Sequence, residues 1–378
     1  MNHVNQNLIL GALTADAASL GLHWIYNQQC IIDVAGKMPE FHPPTASDYE
    51  GVPSFYAHGK KAVGDFSHYG EQAYVLLKTL SDNQGIFHSA QYQEHFKTHF
   101  GYGGDYIGYI DRPTKDTLDS ITITEHHALQ QANSLAFKHD NEAKQNSINF
   151  TINQLKQNNQ LDSNELKKKI DSEYKLNFDS QYLKQLIDCL KPIVSFHGAD
   201  DVQLPAISKL PALAAVYATQ TELAKFSESA IRVTNNNDQA VAYGQIASKM
   251  MEAAITTQDI DKVIEAAKQA APADILLLIN NALKATDKTT PEFTQQIGMS
   301  CNLELGIPSV IHNLNKHLSY QESIRQNIIA GGDSCGRSIL LGAILGAVHG
   351  CDTERGIPTT WLNRLKQGQR IEQLLDQL

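Results

Sequence analysis

Residues 331–350 read GGDSCGRSILLGAILGAVHG, a glycine pair and an acid leading directly into an apolar helix. Gly342, Gly346 and Gly350 recur at four-residue spacing on a stripe shared with Ser338, which predicts that another backbone packs closely there. Glycine costs roughly 1 kcal/mol against alanine inside a helix, so three on one stripe read as a packing device. Gly331 and Gly332 supply a sharp entry, and Asp333 or Ser334 then caps the first exposed amides. Asp333, Ser334, Cys335 and Arg337 are thereby gathered at a positive helix end, where an anion or a metal-bound phosphate is favoured. Read alone, the same stretch is equally a turn, a cap and a buried helix.

A partner for the stripe lies in residues 8–22, LILGALTADAASLGL. Gly11, Ala15 and Ser19 share one helical face, with Asp16 and His23 beside it. A carboxylate in such a helix needs a partner, because a lone buried charge is expensive, and it serves either as a structural cap or as a site residue. Residues 24–70 hold several prolines and little periodicity, and read as a long irregular segment. It ends at Glu71, in the first turn of a helix over 72–80.

The stretch 100–110, FGYGGDYIGYI, clusters glycines with Tyr102, Tyr106 and Tyr109 and continues through Asp111 to Lys115 and Thr117. Tyr102, Gly103, Gly104, Asp105 and Tyr106, with Asp111 and Lys115, read as a loop that admits a ligand to the backbone and stacks a nucleobase or ribose on an aromatic face. Residues 138–191 are rich in Asn, Gln and Lys and read as a peripheral helical insertion. An acidic turn at Asp200 and Asp201 precedes a helix that starts near Pro211. Strand-like alternation is scarce throughout, so the pattern predicts an all-α fold, a single domain over 1–378.

The chain has 378 residues, with 31 basic against 41 acidic side chains and a net charge of −10, which argues against a broad nucleic-acid surface. Cys30, Cys189, Cys301, Cys335 and Cys351 are dispersed without a C-x-x-C pair, as expected of reduced thiols in a cytoplasmic protein. Asp16 interrupts the N-terminal apolar segment and no Lys or Arg precedes it, unlike a secretory signal. No apolar run is long enough to suggest a membrane partner.

Three segments, GALTADAASLG, GADDVQLPAI and AGGDSCGRSILLGAILGAVHG, in this order and wide spacing, resemble the ADP-ribosylglycohydrolase superfamily. HYGEQ, GYIDRPTKDTL, GMSC and GGDSCGRS are similar to the branch that contains selenoprotein J and jellyfish lens crystallins. The resemblance implies a compact orthogonal bundle of α-helices around a central cleft. It also implies a hydrolase that releases ADP-ribose from a small molecule or a protein side chain, in the family by means of paired magnesium ions. The family's Thr-Asp-Asp run falls on Gly70-Glu71-Gln72, and its Asp-x-Asp-Thr/Ser run on Asp333-Ser334-Cys335-Gly336. Only Glu71 and Asp333 keep a carboxylate, so at most a partial magnesium site is expected there.

The expected catalytic groups are then Asp16, Glu71 and Asp333, with Asp200, Asp201, Ser334 and Arg337 joining the Tyr102–Lys115 loop in substrate binding. Two alternatives accompany this reading. Cys335, at a helix start near Arg337, would act as a thiolate; or the scaffold binds ADP-ribose or a nucleotide without turnover, or serves structurally, as in the crystallins.

Overall fold

A computed structural model describes every residue except His139 and Asn159. The described residues form α-helices joined by turns and short 3-10 segments, with isolated bridges and no β-strand among them.

The helix Ser334–His349 lies at the centre, buried from Ser334 to Ala347. Its most extensive neighbour is His3–Ser19, as the paired small-residue faces predict. A Cβ on Gly11 would stand 2.2 Å from the Gly342 carbonyl oxygen, and one on Gly346 would stand 2.3 Å from that of Asn7. The backbones therefore touch, and only glycine permits it. Ser19 and Ser338 hydroxyls close the far end of the seam at 2.6 Å. Gly350 does not belong to the tight stripe: the helix ends at His349, and Gly350 leaves it with φ +75° in open contact.

The N-terminal helix also ends earlier than 22. After Ser19 the chain tightens into a 3-10 turn, Leu20–Leu22, and His23 is extended, so Asp16 and His23 do not share a helical face. Trp24 follows in the left-handed region, φ +66°, where a bulky residue is strained. The strain is offset by backbone pairing, in which Trp24 N–H donates to the Gly332 carbonyl (2.8 Å) and Gly332 N–H to that of Ile25 (2.7 Å). Gly331 and Gly332, at φ +75° and +59°, make the turn that permits this pairing.

Arg337 does not face the helix start as its sequence position suggests. Its guanidinium turns inward to the Asn327 side chain (2.8 Å) and the Gly331 carbonyl (2.6 Å), fastening the helix Tyr320–Ile329 to the glycine turn.

Residues 24–67 carry the short helix Gln28–Ala35 and a 3-10 turn, Ala46–Tyr49, and otherwise wrap the core irregularly, and the next helix begins at His68. The peripheral material has an apolar cluster of its own that begins before residue 138. The helices Arg112–Ser134, Asn141–Gln157, Ser163–Tyr174 and Ser180–Val194 pack around Ile148, Leu166, Leu183, Leu186 and Leu190. No helix among the described residues is long and apolar enough to cross a membrane.

The central seam yields a direct test. Gly342→Ala gains about 1 kcal/mol in helix propensity, yet its Cβ would meet Ala15 Cβ and the Gly11 carbonyl oxygen at 2.4 Å. The urea midpoint is expected to fall, by a net of about 1–3 kcal/mol of stability.

Candidate functional site

Four helix starts converge beside the glycine turn. Asp333 caps Ser334–His349, Ser67 caps His68–Asp82, Asp111 caps Arg112–Ser134, and Asp201 lies in the turn before Pro205–Ser208.

Asp333 is fully buried. Its Oδ1 accepts from Gly336 N–H and from His23 Nε2, both at 3.0 Å, and its Oδ2 accepts from the Tyr69 hydroxyl. Burial works to raise this carboxyl, but His23, Tyr69 and the Arg337 charge outweigh it and hold Asp333 below its ordinary value. Because a carboxylate only accepts, His23 carries its proton on Nε2, and its Nδ1 takes a bond from His58 Nε2 at 2.8 Å. Burial pushes both imidazoles toward the neutral form.

Asp16 is also fully buried, and Ser67 engages both its oxygens: the amide donates to Oδ2 (2.8 Å) and the hydroxyl to Oδ1 (2.5 Å). Burial pushes its carboxyl up to about 7. Asp16 thus holds the helix start that presents His68, Tyr69 and Glu71.

Glu71 lies between two cations or potential cations. Lys61 Nζ is 3.1 Å from Oε1, and His99 Nε2 is 2.9 Å from Oε2. Lys61 also stands 4.4 Å over the Tyr106 ring. The Lys61 and Glu71 side chains are only 8% and 6% exposed, so solvent screens this pair little.

The donors expected for magnesium, Glu71 and Asp333, do not fit the ion. Glu71 already holds an ammonium, and Asp333 is filled by an amide, an imidazole and a phenol, whereas magnesium demands a near-octahedral set of oxygens. Among the described residues no group of three or more His, Cys, Asp and Glu is arranged to hold a metal.

The other expected residues separate into groups. Asp111 and Asp201 are buried at the convergence, where Asp201 accepts from Asn235 Nδ2 (2.7 Å) and Gln203 N–H (2.9 Å). Asp200 is exposed and accepts from Asn237 Nδ2 (2.6 Å), which places it outside the cluster. Tyr102, Gly103, Gly104 and Lys115 line a surface groove of about 820 Å³ that Tyr106 bounds from below, while Asp105 is exposed beside it. Tyr102 is fully exposed and stacks on no ring among the described residues, and Tyr106 is buried with the Lys61 ammonium over its ring and its hydroxyl bonded to the Tyr109 carbonyl (2.9 Å). Ser334 is buried, and among the described residues its hydroxyl has no hydrogen-bond partner.

Cys335 departs from the expectation of a thiolate. Its thiol is buried, donates to the Asp16 carbonyl at 3.7 Å, and is pushed well above the ordinary thiol value by burial and by Asp16 and Asp333. Burial and the two acids outweigh the helix dipole and the Arg337 charge, which favour the thiolate.

His58, His68, Tyr69, Lys61, His99 and Cys301 were not singled out by sequence reasoning. Tyr26, Tyr109 and Cys301 stand half-buried, each within electrostatic reach of Asp333. The available signal was the density of histidine around the irregular segment, at 23, 58 and 68, in a region without periodicity to assign it to a core.

The ADP-ribosylglycohydrolase family model matches residues 6–378, and the chain belongs to that family. Crystallin J1A of Tripedalia cystophora is 25% identical over 374 residues, covering 98% of this chain and 94% of its own. Crystallin J1B of the same animal is 23% identical over 372 residues, with 98% and 94% covered. A solved ADP-ribosylglycohydrolase-related protein complex shares the fold, with a TM-score of 0.50 at 14% identity over 98% of this chain and 96% of that one.

Two outcomes follow for the buried groups. The folded-state value of Asp16 lies above the unfolded one, so between the ordinary 3.8 and about 7 the native state holds more protons and stability falls as pH rises. Urea titrations of wild type and Asp16→Asn across that window should show the wild type losing stability relative to the variant as pH rises; parallel curves would contradict this. Iodoacetamide should alkylate Cys335 in the folded protein more slowly than a free thiol at neutral pH, as read by peptide mass spectrometry.

Proposed function

We propose that the protein is a hydrolase that cleaves the glycosidic bond of an ADP-ribosylated or related ribosyl substrate, using its own side chains in place of the family's paired magnesium ions. The observation that carries this reading is Asp333, fully buried among the converging helix starts yet favoured as the carboxylate, with half-buried Tyr26, Tyr109 and Cys301 near it. Cleavage of a ribosyl bond develops positive charge on the sugar, and a fixed negative charge in a low-dielectric site stabilises it. The Lys61 ammonium beside Glu71 supplies the positive charge that a metal would bring to the same carboxylate. The groove along Tyr102, Gly103, Gly104 and Lys115 receives the nucleotide end, with Lys115 available to a phosphate and Tyr102 free to stack.

A non-catalytic reading is favoured by one finding, that the relatives alike over nearly the whole chain are named crystallins. On that reading the same pocket binds ADP-ribose without turnover, or the fold serves for its stability.

Incubation with peptides ADP-ribosylated on arginine or serine separates the two. The hydrolase reading expects released ADP-ribose by mass spectrometry, reduced about 100-fold or more in Asp333→Asn. Release that is equal in the variant and the wild type would remove Asp333 from the chemistry, and no release from either peptide would favour the crystallin-like reading.

A further inference from the structure

We propose that His68, oriented by Asp111, is the general base that takes the proton of the attacking water. This rests on the hydrolase reading and names the residue that moves the proton. The acids expected as catalytic groups are engaged on both oxygens, Asp16 by Ser67, Glu71 by Lys61 and His99, and Asp333 by His23, Gly336 and Tyr69, while Asp200 is exposed outside the cluster and Asp201 is held through Oδ1 by Gln203 and Asn235. His23 is occupied likewise, at Asp333 on one nitrogen and His58 on the other.

His68 is different. It is 1% exposed, and among the described residues neither ring nitrogen has a hydrogen-bond partner. A buried polar group without a partner costs about 1–3 kcal/mol, so its retention here points to a polar molecule that completes the site.

A carboxylate faces it: Asp111 Oδ2 stands 3.5 Å from His68 Nε2 and, among the described residues, makes no hydrogen bond. Its Oδ1 is fixed by the Thr114 amide at 2.9 Å. The pair is longer than a good hydrogen bond, as is common before a substrate draws catalytic groups together. The imidazole plane is held by Tyr69 at 3.9 Å between centroids, by Tyr109 edge-on at 5.6 Å and by Trp24 at 5.7 Å. With Nε2–H directed to Asp111, the lone pair on Nδ1 is the free base. The titratable groups that face the ring are Asp16, Asp111, His23, His58, Tyr69 and Tyr109.

In the step, the water oxygen forms a bond to the anomeric carbon as its proton passes to His68 Nδ1. The bond from that carbon to the leaving heteroatom breaks, with the electron pair going to the heteroatom, and His68 returns the proton to it. Asp111 is the positioning residue: it selects the tautomer and steadies the imidazolium.

Nitrogen-15 spectra of the imidazole rings, with His68 assigned by loss of its signals in His68→Gln, test the arrangement without an activity readout. The expected result is an Nε2–H tautomer whose signals move in Asp111→Asn, a variant that still caps its helix. An Nδ1–H tautomer, or signals unchanged in Asp111→Asn, would overturn the proposal. With an ADP-ribosyl-arginine peptide as probe, His68→Gln should lower kcat about 100-fold or more with little change in KM. Asp111→Asn should act in the same direction, and it serves where His68→Gln fails to fold. Wild-type kcat in the variants would overturn the base role and leave the hydrolase reading standing; no turnover by the wild type would overturn the hydrolase reading and the base role with it.

Discussion

The structure depends on the contact between two backbones, Gly11 against Gly342 and Gly346, which brings the first helix and the next-to-last long helix together without intervening side chains. The glycine turn at 331–332 follows from the same approach, because it lies where the chain leaving the first helix can pair with it through Trp24 and Ile25. That pairing sets His23 against Asp333 and so fixes the floor of the site. Residues more than three hundred apart in the chain therefore meet through main-chain geometry first and side-chain chemistry second.

The second constraint is electrostatic. Burying several carboxylates at neighbouring helix starts is costly unless each is neutralised or hydrogen-bonded. Each is satisfied here by a different device: Asp16 by Ser67 and a value near 7, Glu71 by Lys61 and His99, and Asp333 by an imidazole, a phenol and an amide. Paired magnesium ions would neutralise such a cluster from outside the chain. In this protein Lys61, placed by the irregular segment between Trp24 and Ser67, brings a positive charge to Glu71 from within the chain.

The all-α character, the helix seam and the capping role of Asp333 were legible because they are written in local periodicity and in glycine spacing. Glu71 in a first turn was legible for the same reason, whereas Asp111, read as part of a ligand loop, caps the helix Arg112–Ser134. Proximity in sequence does not give side-chain direction: the Arg337 guanidinium turns to Asn327 and Gly331, and the Cys335 thiol, for which a thiolate was one alternative, is sealed under Asp16. The histidines at 58 and 68 and the lysine at 61 lie in or beside an aperiodic stretch, so their partners are set by tertiary contacts, and the local density of histidine and the HYGEQ run named no partner for them. Tyr102 carried a ligand signal and is exposed at a groove, whereas Tyr106, in the same loop, is spent on covering Lys61.

The central claim is that the chain supplies the site's positive charge itself. Calorimetric titration of ADP-ribose into the purified protein, once with magnesium and once with a chelator, tests it most directly. The account predicts binding of equal affinity in both conditions. Binding that appears only with magnesium would contradict it, because Glu71 and Asp333 would then have to release Lys61, His99, His23 and Tyr69 to receive the ion.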